Sequence, residues 1–156
     1  MNRARALIDA LRLVPHPEGG WYREIFRSSH EVAPQDGRPL RSALTTIDFL
    51  LQPGEFSAWH RVQSDEVWHL LEGGPLRLTL LSPSLDVIHE VDLARAGPDT
   101  APRAVVPAGW WQAAEAVADF AYVGATVGPG FDFRDFQFAR DDTTVSKRRF
   151  STIIRP

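Results

Sequence analysis

The residues best suited to acid–base chemistry lie in one short stretch of the chain, residues 54–73. Gly54 and Gly73 bound this stretch, and His60 and Glu66 lie between them. An imidazole and a carboxyl group in one cavity can take up and release protons when burial tunes their pKa values toward neutral pH. We therefore expect His60 to act as a base and Glu66 as an acid.

A third polar residue, Gln112, follows a turn at residues 107–109 that contains Pro and Gly. Its amide can both donate and accept hydrogen bonds, which suits a hydroxyl or carbonyl group on a bound ligand. Side chains alternate between the two faces of a strand, and the strands of a barrel share one interior. His60, Glu66 and Gln112 are therefore predicted to point into the same cavity.

Other residue types in the sequence can complete such a pocket. Tyr122 is an alternative proton donor to Glu66. The pocket walls are expected to include the aromatic side chains of Trp68, Trp110 and Phe133, because small-molecule sites combine apolar walls with a few polar groups.

The loop at residues 16–20 contains two glycines and carries two further candidate ligand-binding residues, His16 and Glu18. These side chains either cap the loop or form a lid over the pocket. Arg23, which follows the loop, either neutralises Glu66 or holds an anionic ligand through its guanidinium group.

The elements that must position these residues are short strands separated by Gly and Pro. Strand-like segments are residues 21–28, 42–52, 66–72, 76–81, 87–93, 103–106, 110–115 and 120–127. One helix is predicted over residues 2–13, where apolar residues recur at helical spacing and Pro15 ends the pattern. No helical pattern separates the strands, so we predict one all-β domain, residues 1–156, of the sandwich or barrel type.

Composition narrows the possible partners. The net charge of −3 gives no electrostatic reason to expect nucleic-acid binding. The longest uncharged stretch, residues 120–131, is too short to cross a bilayer as a helix. Cysteine is absent, which excludes disulfides and thiolate catalysis and fits a reducing cytoplasm. We expect a cytoplasmic protein that binds a small molecule.

The spacing G-x5-H, then E-x6-G, then P-x-G before a polar residue resembles the two motifs of the cupin superfamily. The longer phrases at residues 16–24, 57–69, 106–112 and 129–136 are similar to one cupin branch of unassigned function, of the DUF985 type, often labelled sugar epimerase-like. The resemblance covers nearly the whole chain. It implies a double-stranded β-helix, or jelly-roll barrel, and by analogy with cupins of this size a homodimer paired through residues 21–25.

The resemblance also implies which metal ligands this chain lacks. Cupins place a His-x-His pair, a Glu and a further His around one metal ion, but this chain has Val62 and Gln112 at two of the His positions. His60, Glu66 and Gln112 would form the ligand set if a metal were bound. A neutral amide is a poor ligand for divalent transition metals, so no metal and no other cofactor is expected.

Three functions remain open at the level of sequence. The first is an enzyme without tightly bound metal that acts on a small polar metabolite, such as a sugar or sugar-nucleotide isomerase or epimerase. The second is a non-catalytic protein that binds a metabolite or nucleobase through His60, Glu66 and Gln112. The third is a metal-dependent oxygenase or isomerase. One fold supports many chemistries, so the fold does not decide among them.

Overall fold

The N-terminal helix packs on the outside of a β-sheet. A computed structural model describes residues 2–147 of the chain, with side chains described as far as Val145. Helix α1, Arg3–Leu11, begins after Asn2, whose side-chain oxygen accepts a hydrogen bond from the amide of Arg5 at 2.8 Å. The helix ends where Arg12 adopts a left-handed conformation with φ 55°. The predicted helix is confirmed over a shorter range than residues 2–13.

Most of the described chain is extended and antiparallel. The strands are β1 Val14–Pro15, β2 Trp21–Arg27, β3 Glu31–Val32, β4 Arg41–Ser42, β5 Thr45–Leu51, β6 Phe56–Val62, β7 Asp65–Gly73, β8 Leu76–Leu81, β9 Ile88–Leu93, β10 Arg103–Val106, β11 Trp111–Ala116, β12 Ala121–Gly128 and β13 Phe136–Phe138. A six-stranded sheet has the order β1-β2-β5-β12-β7-β10, and a five-stranded sheet has the order β13-β6-β11-β8-β9. The all-β prediction is confirmed.

The two larger sheets enclose one apolar core. The first sheet contributes Phe49, Leu51, Trp68, Val106 and Val123, and the second contributes Leu76, Leu78, Leu80 and Ala114. These buried residues fall at every second position of β8 and β12, as expected when alternate side chains of each strand face the interior. At one end of the barrel polar side chains replace the apolar ones, and there the sheets leave a cavity.

Several elements of the fold were not predicted, among them the short strands β1, β3 and β13. The strand β6, which carries His60, was not predicted as a separate strand, although it pairs with both β11 and β13. A short second helix, α2 Thr143–Lys147, follows the last strand. Within residues 2–147 neither helix has both the length and the apolar character needed to cross a membrane.

Candidate active site

A cavity of about 450 Å³ lies between the sheets, at the end of the barrel where the chain places its acidic and imidazole groups. Its buried titratable residues include Glu18, His60 and Glu66. Aromatic side chains of Tyr22, Phe131, Phe133 and Phe136 form much of the remaining wall. This volume and this mixture of apolar walls with few polar groups are typical of small-molecule sites.

A second cavity of about 240 Å³ lies along β6, β8 and β11 and offers less chemistry. Its charged residues include Arg77, Glu90 and Glu115. Arg77 is already paired, with its Nε atom 3.3 Å from Glu90 and 3.0 Å from Asp92. The larger cavity is therefore the better candidate for a functional site.

The glycine-rich loop at residues 16–20 packs directly against β6. Gly19 has φ +107°, and a Cβ atom there would lie 2.2 Å from the carbonyl oxygen of Phe56, so only glycine fits. The amide of Ala58 donates to the carbonyl oxygen of Glu18 at 2.7 Å. This backbone contact places the Glu18 side chain beside His60.

Glu18 and His60 form a buried pair. Oε2 of Glu18 lies 3.1 Å from Nε2 of His60. On the other side of the ring, Nδ1 of His60 lies 2.7 Å from the carbonyl oxygen of Ala58, which can only accept, so Nδ1 carries a proton. Burial raises the pKa of Glu18 to about 8 and lowers the pKa of His60. Burial therefore favours the uncharged form of both partners, in which the carboxyl group of Glu18 donates to Nε2 of His60.

His16 supports this pair from within the same loop. Its Nδ1 atom accepts a hydrogen bond from the amide of Glu18 at 3.0 Å. Burial, followed by repulsion from His60, lowers the pKa of His16 to about 4. His16 is therefore neutral near pH 7. It lines the cavity and also fixes the conformation of its loop, so both roles predicted for it are compatible with its position.

Glu66 is held by a chain of buried hydrogen bonds. Trp68 Nε1 donates to Oε1 of Gln112 at 3.0 Å, and Nε2 of Gln112 donates to Oε2 of Glu66 at 3.2 Å. Burial raises the pKa of Glu66 to about 7, with smaller opposing effects of His60 and Glu18. Trp68 and Gln112 therefore lie behind Glu66 and orient it, and neither is among the residues that line the cavity.

Two charged residues of the cavity were missed by the sequence analysis. Arg27 and Glu24, both on β2, line the cavity and pair with each other, with Arg27 Nη2 donating to Oε1 of Glu24 at 2.6 Å. Arg27 also donates to the carbonyl oxygen of Phe131 at 3.0 Å. Tyr22 and Glu24 share one face by simple alternation, and this signal was available for Glu24.

The loop that carries the aromatic wall is fastened by a buried ion pair. Asp135 accepts from Nε of Arg41 at 2.9 Å and from Nη2 at 2.8 Å, and also from Nη1 of Arg38 at 2.9 Å. These bonds, above all those from Arg41, hold the pKa of Asp135 below its usual range. On this loop Phe133 is 52% exposed at the cavity entrance, and Phe136, which begins β13, stacks on His60 with ring centroids 5.1 Å apart.

Five of the predicted site residues lie outside the cavity. Trp68 and Gln112, predicted to contact the ligand, instead lie behind Glu66, and the other three lie elsewhere in the fold. Tyr122 lies on the outer face of its sheet, where it packs near α1 and donates to Asp48 at 2.9 Å. Arg23 is exposed and reaches the carbonyl oxygen of Leu11 at 3.4 Å. Trp110 stacks on His89 with centroids 5.9 Å apart. The predictions that Tyr122 donates protons in the pocket and that Arg23 and Trp110 contact the ligand are corrected accordingly, because none of the three lines the cavity.

The metal implied by the cupin resemblance does not fit the residues present. Val62 contributes an apolar side chain to the cavity, and both ends of the Gln112 amide are already hydrogen-bonded. Glu18 lies against Nε2 of His60, the ring nitrogen a metal would need. Among the described residues, no group of three His, Cys, Asp or Glu side chains is arranged to hold a metal ion.

Comparison with known proteins adds a family and a fold. The family model Cupin_5, described as the cupin superfamily (DUF985), matches residues 5–139. A hypothetical protein from Leishmania major is 33% identical, with a TM-score of 0.88 over 98% of this chain and 97% of that one. A protein from Shewanella oneidensis is 31% identical, with a TM-score of 0.82 over 100% of this chain and 99% of that one.

A more distant structure shows the fold alone. Oxalate decarboxylase from Bacillus subtilis is 16% identical, with a TM-score of 0.57 over 88% of this chain and 34% of that one. A search of curated proteins finds no match. The alignments with the Leishmania and Shewanella proteins cover nearly the full length of both chains, so the similarity extends over the whole chain.

Proposed function

The chain belongs to the Cupin_5 (DUF985) family of the cupin superfamily, and we propose that it is a metal-independent enzyme that moves protons on a small polar metabolite. The proposed reaction is isomerisation or epimerisation next to a carbonyl group, as on a sugar or sugar nucleotide. The observation that supports it is a buried carboxyl group, Glu66, in the same cavity as the Glu18–His60 pair.

The two acid–base groups of the cavity, Glu66 and the Glu18–His60 pair, have different protonation states at neutral pH, as acid–base catalysis requires. Glu66, with a pKa of about 7, is partly ionised and can accept a proton from the carbon next to the carbonyl group. Glu18, with a pKa of about 8, retains its proton and shares it with His60. The pair can deliver this proton to the carbonyl oxygen, and an enediol forms.

The reaction is completed by the reverse transfers. Return of the proton from Glu66 to the neighbouring carbon gives the isomer. The epimer forms when a second group protonates the opposite face, after which Glu66 and that group regain their starting states by proton exchange with solvent. Glu18 regains its proton from the enediol hydroxyl group, so both groups end as they began. This assignment makes Glu66 the base and the Glu18–His60 pair the acid, which reverses the roles expected from the sequence.

The experiment that tests this proposal measures exchange of carbon-bound hydrogen with solvent. A panel of aldoses, ketoses and sugar nucleotides is incubated with the protein in D2O, and loss of proton signal next to the carbonyl group is followed by NMR. The proposal predicts exchange with at least one compound, abolished in Glu66→Gln. Exchange that is equally fast in wild type and Glu66→Gln would contradict it.

A second candidate function is binding without catalysis. It is supported by the hydrogen bonds that already occupy Nε2 of His60 and both ends of Gln112, which leave these groups better suited to shaping a pocket than to changing protonation. A metabolite or nucleobase that co-purifies and is released intact on denaturation, together with no exchange activity, would favour this function. A metal-dependent oxygenase or isomerase is not proposed, because the residues do not fit a metal.

We also propose that the protein is cytoplasmic and a homodimer. The dimer is supported by β2, which pairs with β1 only at Trp21 and Tyr22 and exposes Ile25 and Phe26 by 54% and 51%. An open strand edge with exposed apolar side chains is a site for pairing with a second chain. Analytical ultracentrifugation of wild type and Ile25→Lys tests it, and a monomeric wild type would contradict it.

A further inference from the structure

The cavity contains more carboxyl groups than cations to pair with them. Four of its lining residues are acidic, namely Glu18, Glu24, Glu66 and Asp132. Glu24 pairs with Arg27 at 2.6 Å, and Asp132 pairs with Arg134 at 2.8 Å. Glu18 and Glu66 have no Lys or Arg within ion-pair distance among the described residues. The two most deeply placed carboxyl groups are therefore the two without a permanent positive charge beside them.

Of these two residues, Glu66 is the one that can accept further hydrogen bonds. Its residue is only 7% exposed, yet among the described residues its side chain accepts a single hydrogen bond, from Gln112 at 3.2 Å. An ionised carboxylate has about four lone-pair positions and can accept several bonds. Burial of a carboxylate without a positive partner is costly, and a ligand that brings such a partner removes the cost.

The walls beside Glu66 also favour a cation. Phe131 and Phe133 lie between β12 and β13, Phe136 begins β13 and Tyr22 lies on β2. All four line the cavity. The rings of Phe131 and Phe133 are perpendicular, with centroids 4.8 Å apart, so they present differently oriented faces. The face of an aromatic ring attracts ammonium groups, and such aromatic cages recognise quaternary ammonium ligands.

We propose that the cavity binds a ligand carrying an ammonium or alkylated ammonium group, seated between Glu66 and the aromatic side chains of residues 131–136. An anion would be repelled by ionised Glu66, and a neutral ligand would leave Glu66 without a positive partner. The inference deepens the proposed function and rests on the same cavity. It narrows the proposed substrate class to carbonyl compounds that carry an amine, and so disfavours the anionic sugar nucleotides.

The test compares three small molecules of similar shape that differ in charge. These probes are choline, its uncharged carbon isostere 3,3-dimethylbutan-1-ol, and the anion 3,3-dimethylbutanoate. Binding is followed by NMR from the methyl signals of Val62, Ala125 and Val127, which line the cavity. We expect choline to bind at least about tenfold more tightly than the alcohol, and the carboxylate to bind most weakly.

Two variants show whether the preference comes from Glu66. Glu66→Gln keeps the side-chain shape and is expected to remove the tenfold preference for choline over the alcohol. Glu72→Gln makes the same change of charge on the same strand, but outside the cavity, where Glu72 pairs with Arg3 at 2.6 Å, and is expected to retain the preference. Thermal unfolding of each variant verifies that both are folded.

Several results would overturn the inference. They are equal or tighter binding of the alcohol or the carboxylate, a preference for choline that survives in Glu66→Gln, or no binding of choline at all. The proposed catalysis is judged separately by hydrogen exchange. Preference for choline without hydrogen exchange would support the ligand class and contradict the proposed catalysis. Hydrogen exchange without this preference would support the catalysis and contradict the ligand class.

Discussion

Nε2 of His60 and Oε2 of Glu18 lie 3.1 Å apart, although the two residues come from separate elements of the chain. The opposite ring nitrogen of His60 is tied to a backbone carbonyl group, so the proton between the two side chains belongs to Glu18 when the pair is neutral. This contact depends on the loop at residues 16–20 and on its close packing against β6.

The loop conformation requires glycine at position 19. In Gly19→Ala the added methyl group would meet the backbone carbonyl oxygen of Phe56 at 2.2 Å, so the loop and Glu18 must move away from His60. We expect a loss of stability of at least about 2 kcal/mol and loss of any exchange activity, measured by chemical denaturation and NMR.

Gly37→Ala is the matched control for this loop. Gly37 also has a positive φ, +84°, but no atom lies within 4 Å of its would-be Cβ. It is expected to cost only about 1 kcal/mol, from backbone strain alone. Equal costs at the two positions would show that the contact with Phe56 is unimportant.

The stability of the protein is predicted to depend on the ionisation of Glu66. Its pKa rises on folding from an ordinary value of 4.5 to about 7, so folding favours the protonated form, and the stability this provides is lost as pH rises from about 4.5 through 7. Glu66→Gln removes the group that ionises. Relative to wild type, this variant should gain about 2 kcal/mol between pH 5 and pH 8 in urea denaturation. A difference that is constant across this range, or that falls, would contradict the buried position of Glu66.

Exchange activity is predicted to follow a bell-shaped pH profile. The rate should rise through pH 7 as Glu66 loses its proton and becomes a base, and fall through pH 8 as Glu18 loses the proton it donates. Glu18→Gln keeps the side-chain shape but cannot ionise or supply this proton. We expect a rate lower by about 10²–10⁴ and no descending limb at alkaline pH. A descending limb retained in this variant would assign the acid to another residue.

The aromatic wall should depend on the buried pair of Asp135 and Arg41. In Asp135→Asn the guanidinium group of Arg41 keeps its buried position but loses its charge partner, and we expect a loss of about 3 kcal/mol in unfolding free energy. The exposed pair of Arg3 and Glu72 is the control, since exposed ion pairs contribute little. If Glu72→Gln and Asp135→Asn had equal effects, the pair would not fasten the loop.

The sequence predicted the fold well because alternation, turn residues and the family motifs all indicate one antiparallel barrel. It also predicted that His60 and Glu66 share a cavity, since both lie in one motif whose spacing is typical of the family. Residues at the ends of neighbouring strands were harder to place. Arg27 lies after an irregularity in the pairing of β2 between Glu24 and Phe26, so simple alternation from Tyr22 turns it the wrong way.

The positions of Tyr122 and Glu18 were not predicted from the sequence, for two different reasons. β12 alternates between core and partly exposed positions, and Tyr122 shares the less apolar face with Gly124 and Thr126. The prediction treated the whole segment as apolar, so this weak alternation was not used to place Tyr122 on the outer face. Glu18 could be recognised as a loop residue near the site. Its contact with His60 depends on the close approach of Gly19 to β6, and no local sequence pattern reports such an approach between distant segments.

The most direct test of the proposed acid–base chemistry is the titration of the buried carboxyl groups of Glu18 and Glu66, which requires no knowledge of the substrate. The side-chain carboxyl carbons of glutamate are followed by 13C NMR from pH 4 to 10 and assigned with Glu18→Gln and Glu66→Gln. We expect Glu66 to titrate near pH 7 and Glu18 near pH 8, both well above their ordinary value of 4.5. If both titrate near their ordinary value of 4.5, neither carries a proton at neutral pH, and the proposed acid–base chemistry is contradicted.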